Sequence, residues 1–274
     1  MISKIGWIND SWGSTNKLQI PIDDRGLNFG DGIFETILIN NKKPQLLTAH
    51  LHRWQVNAKK LGMALPPNEE FLTPIINEVL SKSFLENNTG SLRLNWSRGS
   101  NHHRGINLDD KKDAEQCRFW IELTSLKPSF KSIAITIDSV ERRNANSIIS
   151  QCKTFNYLQS IQVKLSAVKK NFDDAVLLST TGEMCCGTTS NIIVQRNGEL
   201  LTPRLESGCL PGIMRQQAIE KGLLQETRLS PHPEPNDQWL LINSLSCRPI
   251  TRIDNQSMKV FKKAESLWYS LLIE

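Results

Sequence analysis

Residues 29–39 read FGDGIFETILI. The glycines of FGDG (29–32) mark a turn, and the run IFETILI (33–39), rich in Ile and Phe, has the composition of a strand. Downstream, Leu51, Trp54, Ala58 and Leu61 recur at helical spacing, which predicts a helix over 49–61 with Thr48 as N-cap and Gly62 beyond its end. A second amphipathic helix fits 68–87 through Phe71, Leu72, Ile75, Ile76, Val79 and Leu80. Strand-like runs follow at 91–96, 118–124 and 132–138. The polar stretch GSNHHRGINLDDKKDAE (99–115) reads as a loop long enough to suspect a role in binding.

A boundary falls at TSLKPS, dividing the chain into a smaller unit over 1–125 and a larger one over 126–274. The second half opens on the polar segment ERRNANSIISQCKTFNY, followed by a helix at about 158–170 and a buried strand, AVLLS, at 175–179. A strand at 191–195 leads into a hairpin through Arg196-Asn197-Gly198. Pro211 stands where a first-turn proline belongs, opening a helix over 211–222. A strand at 240–242 and a closing amphipathic helix at 258–272 complete an α/β chain of the α+β type.

Composition narrows the function. At 274 residues the chain buries a full core, and 39% hydrophobic with 22% charged residues is ordinary for a globular protein. The net charge of +5 is spread over short pairs such as Lys42-Lys43, Lys59-Lys60 and Lys111-Lys112, not gathered into the stripe that nucleic acid requires. A mild positive excess suits small anionic substrates. The six cysteines, at 117, 152, 185, 186, 209 and 247, form no C-x-x-C pair and have no histidine nearby, so zinc and thioredoxin-type chemistry fail on spacing and no metal site is expected. No apolar run approaches the ~20 residues of a membrane span, and the N-terminus has no apolar leader region. A cytoplasmic protein with reduced thiols and no membrane or nucleic-acid partner is expected.

Three segments could carry chemistry. Lys153, in SQCKTFNYL, sits among uncharged residues just before a helix; most lysines are solvated, yet one held in an apolar wall can form a Schiff base. Ser207-Gly-Cys-Leu-Pro-Gly-Ile-Met-Arg215 joins a glycine-bearing turn to a helix start, which is either an ordinary cap or a cup of backbone N–H groups for a phosphate. Arg53 on the helix 49–61 is either solvated or a further phosphate ligand. Ser97-Arg-Gly-Ser-Asn-His-His-Arg-Gly105 is either a solvated basic loop or a carboxylate clamp.

In order along the chain, DRGLNFGDGIFET (24–36), HLHRW (50–54), SRGSNHHRG (97–105), KTFNYL (153–158), TSN (189–191) and TPRLESGCLPGIMR (202–215) resemble the class IV pyridoxal-phosphate enzymes. That family includes branched-chain aminotransferases, D-amino-acid aminotransferases and 4-amino-4-deoxychorismate lyase. The resemblance implies fold type IV, two α/β domains with pyridoxal 5'-phosphate between them, and a homodimer whose subunits both line the site. It implies that Lys153 holds the cofactor and moves the substrate's proton. It implies that Arg53, the backbone of Ile213 and Met214, and Ser244 hold the phosphate, that Leu210 packs on the pyridine ring and that Tyr157 contacts the phenolic oxygen.

Within the family, the residue after IFE is a threonine in the lyases, and here it is Thr36. The resemblance therefore implies a lyase that releases pyruvate from aminodeoxychorismate and leaves 4-aminobenzoate, on the route to folate. Lys153 is the base, Thr36 the proton relay, and Arg98 and Arg104 the candidates for the substrate carboxylates. An aminotransferase for branched-chain or D-amino acids, and a pyridoxal-phosphate-binding protein with weakened catalysis, are the alternatives.

One position departs from the pattern. Where the family carries a glutamate against the pyridine nitrogen, five residues before Asn191, this chain has Cys186. A thiol, with an ordinary pKa of about 8.5, supplies charge there only if it ionises. Glu183, three residues earlier, is the alternative partner, and Cys185 is expected to pack.

Overall fold

The computed structural model describes residues 4–100, 105–108 and 116–273. The chain forms two compact units, Met1–Lys127 with Cys152–Asn156, and Pro128–Gln151 with Tyr157–Glu274. The segment that carries Lys153 thus folds with the first unit.

In the first unit, β1 (Lys4–Ile8), β2 (Ser11–Ser14), α1 (Arg25–Phe29), β3 (Gly32–Asn40), β4 (Lys43–Pro44), α2 (Leu47–Lys60), α3 (Glu69–Lys82), β5 (Gly90–Ser97) and β6 (Arg118–Ser125) follow in order. The strands make an antiparallel sheet ordered β2-β1-β6-β5-β3-β4. Alternation along β3 decides what each face does: Ile33, Ile37 and Ile39 enter a core with Leu51, Trp54 and Ala58 of α2 and Leu72, Ile76 and Val79 of α3. Phe34 and Thr36 point to the opposite face.

The second unit continues with β7 (Ile133–Arg143), α4 (Leu158–Lys169), β8 (Asp174–Ser179), β9 (Met184–Gly187), β10 (Asn191–Arg196), β11 (Glu199–Pro203), α5 (Ile213–Glu220), β12 (Gln225–Thr227), β13 (Gln238–Asn243), β14 (Ser246–Ile253), β15 (Gln256–Ser257) and α6 (Ala264–Ser270). Its mixed sheet runs β12-β11-β10-β13-β14-β7-β8-β9, with β15 on β14. Strand β8, buried at every residue, lies between parallel β7 and antiparallel β9. Its apolar run reflects burial on both faces: Ala175 and Leu177 pack on Val163 and Ala167 of α4, and Val176 and Leu178 on the main core with Trp239 and Leu241. The β10–β11 hairpin turns through Asn197 and Gly198, both at positive φ, as a two-residue loop of that composition prefers.

Several boundaries differ from the sequence expectations. Thr48 is not the cap of α2; it lies inside the helix with its Oγ1 bonded to Glu69, and the cap is Leu46 in a left-handed conformation. Helix α3 stops at Lys82, well short of 87, because Ser83 turns extended and Leu85 enters the core. Pro211 lies outside α5, which begins at Ile213 on the N-cap Gly212. The closing helix is only Ala264–Ser270, since Met258 is drawn into a backbone bond with Thr251. Strands β9 and β14 carried too little apolar alternation to be expected from sequence. Among the described residues no helix is long and apolar enough to cross a membrane.

Ile37, wholly buried between β3 and α2, sets a test of this packing. Ile37→Ala is expected to lower unfolding stability by about 2–5 kcal/mol, read as a reduced urea midpoint with an unchanged slope.

Candidate active site

The motif DRGLNFGDG builds a brace. Asp24 caps α1 by accepting from Gly26 N, and its other oxygen takes the Ser97 hydroxyl at 2.8 Å and the Arg118 guanidinium. Asp31 joins two arginines, accepting from Arg25 Nε at 2.9 Å and from Arg98 Nε at 2.9 Å. Arg98 spends its remaining nitrogens on the carbonyls of Gly62 and Leu61, at 3.0 and 3.1 Å, which closes the end of α2. Its guanidinium is therefore engaged at all three nitrogens by the fold, and it is not placed as a carboxylate clamp. Arg104 lies outside the described residues.

Behind this brace, residues 152–156 dock on the start of β3. Phe34 N donates to Lys153 O at 3.0 Å and Phe155 N to Gly32 O at 2.9 Å. The approach requires glycine at 32, where a Cβ would stand 2.3 Å from the Phe155 ring. The docking sets Lys153 Nζ 4.2 Å from the centroid of Phe34. Thr36 shares the Phe34 face of β3 and stands directly across from Arg93 of β5. The Arg93 guanidinium lies 3.6 Å from the same Phe34 centroid, and its Nε donates to Asn95 at 2.7 Å. Phe155 adds a wall with Phe34 and Trp120, its ring centroid 6.2 and 5.6 Å from theirs. Lys153, Thr36 and Arg93 thus gather on one aromatic-lined face. Arg93 was not singled out from the sequence, because only the strand register sets it opposite Thr36.

On the helix side of β3 lies a buried ionic cluster. Glu35 accepts from Arg53 through Nε at 2.8 Å and Nη2 at 2.6 Å, and contacts His50 Nδ1 at 2.8 Å. Burial pushes the Glu35 carboxyl up, but the Arg53 charge and the bonds from His50 and Arg53 outweigh it and hold the pKa at about 2. Burial holds His50 below its usual range despite Glu35, so it is a neutral donor to the carboxylate. Arg53 is thereby fixed in one orientation.

In the second unit, α5 begins on Gly212 with no side-chain cap and no acid in its first turn. Ile213 and Met214 are buried, so their side chains anchor the start while the backbone N–H groups of that turn have no intrahelical acceptor. Asn191 braces the loop: its Nδ2 donates to Leu210 O at 2.9 Å, and a Cβ on Gly212 would stand 1.9 Å from its Oδ1. Asn243 ties the neighbouring motifs together, donating to Ser190 Oγ at 3.2 Å beside the turn that carries Ser244. Leu210 is half-buried, and Tyr157 stands at the N-terminus of α4 with its carbonyl accepting from Ile161 N. An uncapped helix start cradled by Asn191 and free of acids fits a phosphate.

Cys186 lies half-buried on β9, and Cys185 is fully buried. The S–H of Cys185 lowers the Cys186 pKa against burial, with help from Arg143, while Cys185 itself is pushed up. Glu183 is committed elsewhere: it accepts from Thr181 Oγ1 at 3.0 Å and pairs with Arg204 and Arg228 at 3.7 and 3.8 Å. Among the described residues no cluster of His, Cys, Asp and Glu could hold a metal ion.

Residues 32–253 match the class IV aminotransferases, and the chain belongs to that family. The fold is that of fold type IV pyridoxal-phosphate enzymes, and pyridoxal phosphate is the family's cofactor. A protein of Methanocaldococcus jannaschii provisionally named a branched-chain-amino-acid aminotransferase is 29% identical over 216 residues, covering 78% of this chain and 73% of that one. A D-alanine aminotransferase of Bacillus licheniformis is 27% identical over 253 residues, covering 89% and 86%. A structure from Legionella pneumophila, provisionally named 4-amino-4-deoxychorismate lyase, superposes with a TM-score of 0.80 at 23% identity, over 94% of this chain and 96% of that one.

The Glu35 cluster makes stability depend on pH. Glu35 and His50 both bind protons less readily folded than unfolded, so the unfolded chain takes up more protons as pH falls and stability drops. The Glu35 contribution, on the order of 3 kcal/mol, is fully present above its ordinary 4.5 and is lost as pH falls toward about 2. His50 adds to the loss below its ordinary 6.5. Urea unfolding at stepped pH is expected to show this slope, and Glu35→Gln to flatten it below 4.5 while lowering stability at neutral pH.

Proposed function

We propose that the protein is a pyridoxal-phosphate-dependent 4-amino-4-deoxychorismate lyase, releasing pyruvate and leaving 4-aminobenzoate. The observation that carries this reading is the gathering of Lys153, Thr36 and Arg93 on one aromatic-lined face of β3 and β5. A base, a hydroxyl and a guanidinium beside Phe34, Phe155 and Trp120 suit a flat, carboxylated ring that must lose a proton at one carbon and an oxygen substituent at the next.

Arg53, oriented by Glu35, and the first turn of α5 with Ser244 are the proposed phosphate ligands, and Leu210 and Tyr157 the proposed contacts to the ring and its phenolic oxygen. When bound, pyridoxal phosphate withdraws electrons from the carbon that bears the substrate's amine and acidifies its proton. Lys153 takes that C4 proton. The bond from C3 to the enolpyruvyl oxygen breaks, Thr36 passes a proton toward the departing group, and the ring becomes aromatic. Arg93 holds a substrate carboxylate, the task first expected of Arg98, and Arg104 remains a further candidate. Reactant and products balance without an oxidant or a second substrate.

An aminotransferase is the second reading, supported by the names of the relatives in M. jannaschii and B. licheniformis. A coupled assay separates the two. Incubation with aminodeoxychorismate is expected to yield pyruvate and 4-aminobenzoate in equal amounts, and Lys153→Ala to yield neither. Thr36→Ala is expected to slow turnover by about 10²-fold or more, and Arg93→Ala to act chiefly on KM. Rapid exchange of amino groups between a branched-chain or D-amino acid and a 2-oxo acid, with no pyruvate from aminodeoxychorismate, overturns the lyase.

The proposed enzyme is a cytoplasmic homodimer. On α4, Val163 and Ala167 face the sheet, while Leu158, Ile161, Leu165 and Val168 form an exposed stripe at the a and d spacing of a coiled coil. Ile148 and Ile149, also exposed, join its start through Arg143, which bonds both Ser150 O and Gln159. A second α4, antiparallel about a two-fold axis, covers the stripe with like residues and opposes the helix dipoles favourably. Leu165→Glu is expected to halve the mass measured by light scattering; an unchanged dimer places the interface elsewhere.

A further inference from the structure

Arg143 ends β7 as a partly buried cation with no acid paired to it among the described residues. Its Nη2 donates to Ser150 O at 2.9 Å and its Nη1 to Gln159 Oε1 at 3.4 Å, while its buried Nε has no partner among the described residues. Among the described residues no carboxylate stands within ion-pair distance of it, although β7, β8, α4 and the turn before β9 carry charged groups. Glu141, two residues earlier, accepts from Gln159 Nε2 at 2.8 Å. Asp174 on β8 accepts from Thr188 Oγ1 at 2.7 Å and its own strand's Ala175 N, and pairs with Lys164 of α4 at 3.7 Å. Glu183, before β9, is held by Thr181, Arg204 and Arg228. A guanidinium left this way normally finds a counter-ion, because an unpaired charge is costly out of water.

The strand ladder supplies one. Arg143 pairs with Ser179 of β8, and Cys186 pairs with Leu177 of the same strand from the other side. The pairing of β8 with β9 shifts register after Cys186, but β8 itself keeps alternating, with Leu177 on the α4 side and Leu178 on the main core. Arg143 reaches Gln159 of α4, so Arg143 and Cys186 come to one face of the sheet from either side of β8. The neighbourhood favours an anion on sulfur. The Cys185 S–H and then Arg143 lower the Cys186 thiol against burial, and Asp174 opposes them. Cys209 and Cys185, both fully buried, are pushed up and remain neutral. Ser207 Oγ, fully buried and with no other hydrogen-bond partner among the described residues, lies beside these two thiols as a further donor.

We propose that Cys186 is a thiolate paired with Arg143 and that this sulfur, in place of a carboxylate, is the anion that meets the pyridine nitrogen of the cofactor. Arg143 is the positioning residue. The second half of this statement rests on the function proposed above, since it needs the cofactor; the first half does not. The substitution at 186 then preserves the charge at the ring nitrogen and changes only its carrier, from oxygen to a softer and alkylatable sulfur.

The ionisation is tested on protein without cofactor, by the ultraviolet thiolate absorbance that Cys186→Ser removes, followed against pH. The Cys186 midpoint is expected below the ordinary thiol value of about 8.5. Arg143→Gln is expected to raise it by about one unit or more, and Arg143→Lys to restore most of the difference. A midpoint at or above 8.5 that ignores Arg143→Gln overturns the pair. The ring contact is tested with ¹⁵N-labelled pyridoxal phosphate bound to the protein. The pyridinium shift is expected in the parent and in Cys186→Glu and lost in Cys186→Ser; a shift indifferent to residue 186 overturns the contact. Failure of the lyase assay with both spectroscopic results intact removes the substrate reading and leaves the thiolate.

Discussion

The chemistry of the first unit depends on a pair of backbone hydrogen bonds, Phe34 N to Lys153 O and Phe155 N to Gly32 O. They add residues 152–156, which stand far down the chain, to the first strand of the motif FGDGIFET. The bonds are local in geometry and remote in sequence, so forming them costs the closure entropy of the long chain segment between. Everything proposed for Lys153 follows from them, because they bring its side chain to the face that carries Phe34, Thr36 and Arg93. The small residue at 32 is what permits the approach, and the Asp24–Ser97–Arg118 and Asp31–Arg25–Arg98 braces keep that turn in place.

Buried charge is handled differently in the two units. In the first, Glu35 is closed within Arg53 and His50, a satisfied cluster that locks one guanidinium in a single pose. In the second, Arg143 is held by a carbonyl and an amide and meets no carboxylate among the described residues. The first arrangement fixes geometry through complete pairing. The second leaves a charge to be answered, and the thiol at 186 is the group the strand register offers it. In the proposed pairing the ring nitrogen keeps an anionic partner although position 186 holds no carboxylate.

Much of the fold was legible in the sequence where burial imposes a period. The strands at 33–39, 175–179 and 191–195 and the helices at 49–61 and 158–170 correspond to β3, β8, β10, α2 and α4, since each places apolar residues on one face or, for β8, on both. The misses share a cause. Strand β9 is four residues of MCCG, and β14 mixes Arg248, Pro249 and Arg252 into its run, so both owe their conformation to the strands beside them. The start of α2 is set by Leu46 settling into the core, against the local preference for Thr48 as a cap.

The sequence alone determined the family, through motifs whose glycines, proline and lysine keep a fixed order, and it marked Lys153, Thr36 and the odd thiol at 186. It could not show which arginine is structural. Arg98 sits in a motif that looks like a clamp, yet the fold uses all its nitrogens; Arg93 sits in an unremarkable strand, yet stands across from Thr36. Nor could it show that Arg143 meets no acid among the described residues. Residue types and their spacing are properties of the chain, but pairing is a property of register and burial, and those are decided only when strands far apart in sequence lie side by side.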